Sequence, residues 1–169
     1  MQTAAIILTH IPVWVWAILA FLVLMGLRLS RERRMSRLRL MLVPAIFLAY
    51  GAWGIENTFG FAATPILAWG AGLLTSLTLV RWSGWPGRAR VEGGQYVLPG
   101  SWIPMGLMLA IFVGKFILGM GLAMNPALAL QTDVAIGFSS LFGALSGAFL
   151  GRTLNILGLG RTNAQAAFA

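Results

Sequence analysis

No cysteine occurs among the 169 residues, which excludes disulfides, thiol redox chemistry and thiolate-held metals or clusters. Histidine occurs once, as His10, so one chain cannot build a multi-histidine metal site or a bis-histidine haem site. Acidic residues number four, Glu32, Glu56, Glu92 and Asp133, too few for a carboxylate-rich metal centre or paired-carboxylate catalysis. No metal and no cofactor is therefore expected. Charged residues make up 9% of the chain, against about 25% in an ordinary soluble domain. Hydrophobic residues make up 59%, and the mean hydropathy is +0.85. This composition excludes a soluble globular protein and a disordered one.

What is present is a series of long apolar runs. A helix needs about 20 mostly apolar residues to cross a bilayer. Five segments qualify, at about 11–27, 40–55, 61–80, 102–124 and 130–150. The expected fold is an all-α polytopic membrane protein, a single transmembrane domain over residues 1–169. The first run resembles a signal peptide in length. Such peptides carry positive charge before the apolar stretch, and here the arginines follow it. An uncleaved first helix with an outward N-terminus is expected.

The arginines set the orientation. Arg28, Arg31, Arg33, Arg34, Arg37 and Arg39 fall between the first two spans. Arg81, Arg88 and Arg90 fall between the third and fourth, and Arg152 and Arg161 are expected to follow the fifth. With five spans all of them lie on one side, which the positive-inside rule makes cytoplasmic. The N-terminus is then outside and the C-terminus inside. Trp14, Trp16 and Trp53 map to the outer interface, and Trp82, Trp85 and Trp102 to the inner one, where amphipathic rings are favoured. The net charge of +8 thus reflects membrane orientation and not nucleic acid. Arg31, Arg33, Arg34 and Arg37 are expected to meet anionic lipid headgroups. Residues 88–92 and 95–98, flanking Gly93-Gly94, suggest a small cytoplasmic β-hairpin between the third and fourth helices.

Three strings, Thr9-His-Ile-Pro-Val-Trp-Val-Trp16, Pro99-Gly-Ser-Trp-Ile-Pro104 and Ile111-Phe-Val-Gly-Lys-Phe-Ile-Leu-Gly119, carry a resemblance. Together they resemble an uncharacterised family of small bacterial inner-membrane proteins, mostly proteobacterial. The resemblance covers nearly the whole chain. It implies a five-helix inner-membrane protein and supplies no activity.

Lys115 is the sharpest chemical feature. It lies well inside the fourth span, where a charge costs on the order of 3 kcal/mol on insertion scales. Snorkelling outward works against the tilt of helical Cα–Cβ bonds toward the helix N-terminus, and snorkelling inward has farther to go. By depth, Tyr50, Thr75, Ser76, Ser139 and Ser140 are candidate neighbours for a solute or water held by the ammonium. Glu56 and Asp133 lie nearer the outer interface, and either pairs with Lys115 only if its helix dips or the lysine reaches outward. Glu56, on the unfavoured side of the dipole at a helix C-terminus, is also a candidate solute-binding residue. Asp133 opens the fifth helix, where capping and the dipole favour a carboxylate. Trp69, inside the third span, is expected to pack against a neighbouring helix.

Gly143, Gly147 and Gly151 repeat every four residues on the fifth helix, a small-xxx-small face that lets backbones approach closely. Helix four is the expected intrachain partner, and a homodimer seam is the alternative. No serine has a usable base at matching depth, and no glycine-rich loop has phosphate-loop spacing. No catalytic constellation is found. Three readings remain. The first is a helix-packing or assembly protein, alone or in a larger membrane complex. The second is a small oligomeric transporter or channel that binds an anionic or polar solute at Lys115. The third is a membrane enzyme acting on a lipophilic substrate.

Overall fold

A computed structural model describes residues 13–85, 89–92 and 95–166, with backbone alone for Trp14 and residues 159–166. His10, Arg88 and the Gly93-Gly94 pair lie outside the described residues. The order is α1 (Val13–Leu29), β1 (Arg33–Met35), α2 (Arg37–Phe59), α3 (Ala63–Ser83), β2 (Arg90–Glu92), β3 (Gln95–Leu98), α4 (Ile103–Met124) and α5 (Thr132–Ala166). A 3-10 turn at Pro126–Leu130 joins α4 to α5. The helices α2, α3, α4 and α5 are long and apolar enough to cross a membrane, and α1 is apolar over its 17 described residues. Large apolar side chains on their outer faces, among them Phe21, Leu67, Leu74 and Val113, stand exposed. Few residues of α3 are fully buried within the chain. Lipid is the solvent that such a surface requires. The chain is a helical membrane protein.

The helix ends follow local chemistry. The Ser36 hydroxyl accepts the Arg39 N–H at 3.4 Å and caps α2. Gly60 ends α2 at φ 72° and Gly84 ends α3 at φ 65°, conformations that L side chains rarely adopt. Pro104 enters the first turn of α4, where its missing N–H has no helical acceptor to lose. The Asn155 amide donates to the carbonyls of Val80 and Trp85 at 2.8 and 2.9 Å. It thereby satisfies the end of α3 from α5.

Two boundaries differ from the hydropathy pattern. α2 begins at Arg37, so Arg37 and Arg39 stand in its first turn and not in a loop. Arg152 and Arg161 do not follow the fifth helix but lie within it, because α5 runs for 35 residues past its apolar stretch. That extension supports a sheet. β1, β3 and β2 lie in that order, all antiparallel, with Arg33 opposite Leu98 and Glu92 opposite Gln95. A two-stranded ribbon alone is marginal in water. Here β1 adds a third strand, and the sheet rests on a core of Leu40, Ala89, Leu98 and Ile156.

The most extensive helix contact joins α3 and α5. A Cβ at Gly143 would collide with the Trp69 carbonyl, one at Gly147 with the Leu73 carbonyl, and one at Gly72 with the Ser140 carbonyl. The glycine face of α5 therefore meets α3 inside the chain, not α4. A second apolar cluster, Leu29, Met108 and Phe149, ties α1, α4 and α5 together, with Phe47 of α2 stacked on Phe149 at 4.8 Å.

Candidate functional site

Lys115 lies just past the midpoint of α4 and projects toward α2 and α5. Its Nζ is 4.5 Å from the Phe142 ring centroid and 5.8 Å from that of Tyr50. The ammonium reaches α2 where Gly54 leaves room, 2.5 Å from the position a Cβ would take there. Ring faces attract a desolvated cation by about 2 kcal/mol. That offsets only part of the cost of placing it at this depth. No carboxylate pairs with Lys115 among the described residues.

The lysine sits at the junction of two cavities. The larger, about 300 Å³, opens between α1, α2 and α4 and is lined by Ile18, Phe47, Tyr50, Ile111, Phe112 and Lys115 among others. Lys115 and Tyr50 are its polar contributors. The smaller lies inward, where Lys115 and Tyr50 meet Gly51, Phe142 and Ser146. Ser146 is buried. A Cβ at Gly51 would lie 3.3 Å from the Trp69 Nε1 and 3.4 Å from the Ser146 Oγ. Among the described residues the Trp69 Nε1 is buried without a hydrogen-bond partner, as is the Oγ of fully buried Ser139 on α5. A buried polar group left unpaired costs about 1–3 kcal/mol.

Of the candidate neighbours, Tyr50 joins Lys115. Ser139 is buried on α5 one turn before Phe142. Ser140 instead turns its carbonyl to Gly72 of α3, and its hydroxyl donates to the Ile136 carbonyl. Thr75 stands on the exposed face of α3, its carbonyl accepting from the Thr78 hydroxyl at 2.8 Å. Glu56 is exposed and lines a separate cleft with Trp53, Phe61, Ile66 and Trp69. Asp133 is exposed in the first turn of α5. Gly51, Gly54, Phe142 and Ser146 were not singled out by the sequence. Their signal was helical spacing, since Ser139, Phe142 and Ser146 recur on one face of α5. Trp69 packs between helices as expected, but with an unpaired indole N–H. Among the described residues no group of three or more His, Asp or Glu side chains could hold a metal.

The headgroup arginines divide between faces. Arg34 is exposed and pairs with Glu92 at 3.4 Å. Arg33, its strand neighbour, turns into a cavity beneath the sheet, and Arg31 and Arg37 are exposed.

A model of a family of unknown function, DUF6622, matches residues 2–167, and the chain belongs to that family. As the resemblance implied, no function attaches to it. The chain is also similar to a protein of Sodalis glossinidius (strain morsitans) named "Putative manganese efflux pump MntP". The two are 30% identical over 109 residues, which cover 54% of this chain and 55% of that one. The chain thus spans about half the length of the curated relative it matches. No solved structure matches.

Proposed function

We propose that this protein is a multi-pass transport protein of the bacterial inner membrane that binds a small anionic or polar solute at Lys115. The observation that carries the reading is the Lys115 ammonium, set among aromatic rings at the mouth of a cavity with no carboxylate beside it. A fixed positive charge in a low-dielectric cleft attracts an anion and repels a cation. The relative's printed name, an efflux pump, supports transport as the class of activity. It does not carry over manganese. A divalent manganese ion takes carboxylate, carbonyl and water oxygens, and no carboxylate lines the Lys115 cavities. The five helices among the described residues make a thin wall for a private path, so a homo-oligomer is expected to complete it.

The assembly reading draws less support. It relied on a glycine seam of α5 free for a partner, and Gly143 and Gly147 already meet α3. The enzyme reading still lacks a second catalytic group at the depth of Lys115.

The test is flux into proteoliposomes, with chloride, nitrate, small carboxylates, protons and divalent manganese offered in turn. Wild type is expected to move at least one anion, and Lys115→Met to fold and lose that flux at least tenfold. Anion flux unchanged in a folded Lys115→Met variant overturns the reading. So does manganese flux without anion flux, or no flux from folded wild type.

A further inference from the structure

At the other end of the bundle, a cavity of about 70 Å³ lies beneath the sheet, its walls apolar except for three arginines and a threonine. Arg152 enters it from α5, Arg33 from β1 and Arg39 from the first turn of α2, with Thr153 beside them. Arg152 is 6% exposed, and its Nε has no hydrogen-bond partner among the described residues. Its guanidinium carbon lies 5.4 Å from the Trp85 ring centroid, which holds one face of the group. The acidic residues nearest in sequence are directed elsewhere. Glu32 and Glu92 line a separate cleft with Arg90, and Glu92 pairs with Arg34. No Asp or Glu lines the arginine cavity.

Burying one guanidinium without a counter-charge costs several kcal/mol. Bringing a second toward it adds repulsion. Arg33 shares the inner face of β1 with Met35, opposite Arg34, so the pleat turns it into the cavity with Arg152, and no acidic side chain there balances the pair. Burial also pushes the Arg33 guanidinium below its ordinary value, the direction expected of a cation short of a counter-ion.

We propose that Arg33 and Arg152, with Arg39 at the rim, form a binding site for a phosphate group. The forked guanidinium donors match phosphate oxygens in pairs, with charge-assisted hydrogen bonds. At about 70 Å³ the cavity suits a small anion such as phosphate and not a large solute. The phosphate arrives either on a lipid headgroup or as a free anion. The site is separate from the Lys115 cleft, and the proposal stands without the transport reading.

The test is thermal unfolding of the delipidated full chain in a neutral detergent. Inorganic phosphate and dioleoylphosphatidylglycerol are titrated separately, with chloride as the ionic-strength control. At a hundredfold excess over Kd, one of the two is expected to raise Tm by about 5 °C or more. Arg33→Gln and Arg152→Gln should each weaken the apparent affinity about tenfold or more, since each removes a charged hydrogen bond. Arg34→Gln, on the outer face, should leave it unchanged. A response to phosphate assigns a free anion. A response to the lipid without one to phosphate assigns a headgroup. If Arg152→Gln does not fold, Arg33→Gln decides alone. No saturable rise with either probe overturns the proposal, and so does a rise that persists undiminished in Arg33→Gln.

Discussion

At the residue scale, the position of the Lys115 ammonium depends on what α2 lacks. Gly54 has no side chain, and the ammonium occupies the space one would fill. The nearest atom is the far end of a flexible chain, so Gly54→Ala displaces the ammonium without moving a helix. The expected cost is the loss of the ring contacts, about 2 kcal/mol. In a Lys115→Ala background the same substitution should cost close to nothing. The coupling is read from a double-mutant cycle on unfolding free energy in mixed micelles. Additive effects would show that Gly54 and Lys115 do not meet. This contact explains how much of the site the sequence discloses. Lys115 stands out because a charge in an apolar run is costly wherever its helix points. Gly51, Gly54 and Ser146 do not, because small residues are common in membrane helices. Which of them line a cavity depends on helix rotation. Thr75 and Ser140 share the depth of the site but face the wrong way, and depth was all that hydropathy could supply.

At the scale of elements, the α3–α5 pair should be the least tolerant of added bulk. A Cβ at Gly147 would collide with the Leu73 backbone, which cannot give way locally, whereas one at Gly151 would lie 3.0 Å from the Val80 side chain and 3.2 Å from the Leu77 carbonyl, and one at Gly137 would face open space. Alanine at these positions should cost most at 147, less at 151 and nothing at 137. Gly147→Leu should lose about 3 kcal/mol or more, at the upper end of overpacking penalties. Unfolding titrations on the three alanine variants check the order, and equal losses would remove α3 as the partner. The spans themselves were legible, since long apolar runs announce themselves. Their partners were not, because a small-xxx-small face states how close a neighbour comes and not which helix it is. The end of α5 was hidden for another reason. Arg152, Thr153 and Asn155 break the hydropathy, yet each is held within the fold, two of them buried and the third bonded to α3. β1 is three residues long, two of them arginine, and its pairing with β3 is a tertiary event with no local signature.

At the scale of the whole molecule, charge and hydropathy together define two ends. The sheet, Arg33, Arg39 and Arg152 gather at one end, while Asn57 in the last turn of α2 and Gln131 before α5 lie at the other. The arginine end is expected to face the cytoplasm, because Arg and Lys in short loops set orientation. The absence of cysteine makes this directly measurable, since any introduced thiol is the sole label site in the chain. Glu32→Cys marks the arginine end and alters no arginine, and acidic residues contribute little to orientation. Asn57→Cys and Gln131→Cys mark the opposite end, where both side chains are exposed. A membrane-impermeant maleimide applied to the outer face of intact inner membrane should label positions 57 and 131 at once. It should label position 32 only after permeabilisation. The reverse pattern would place the arginine cavity outside, where its phosphate could not come from the cytoplasmic leaflet. Labelling at both ends in intact membranes would mean that the chain inserts both ways. In that case an antiparallel pair of chains would be the assembly that completes the cleft at Lys115.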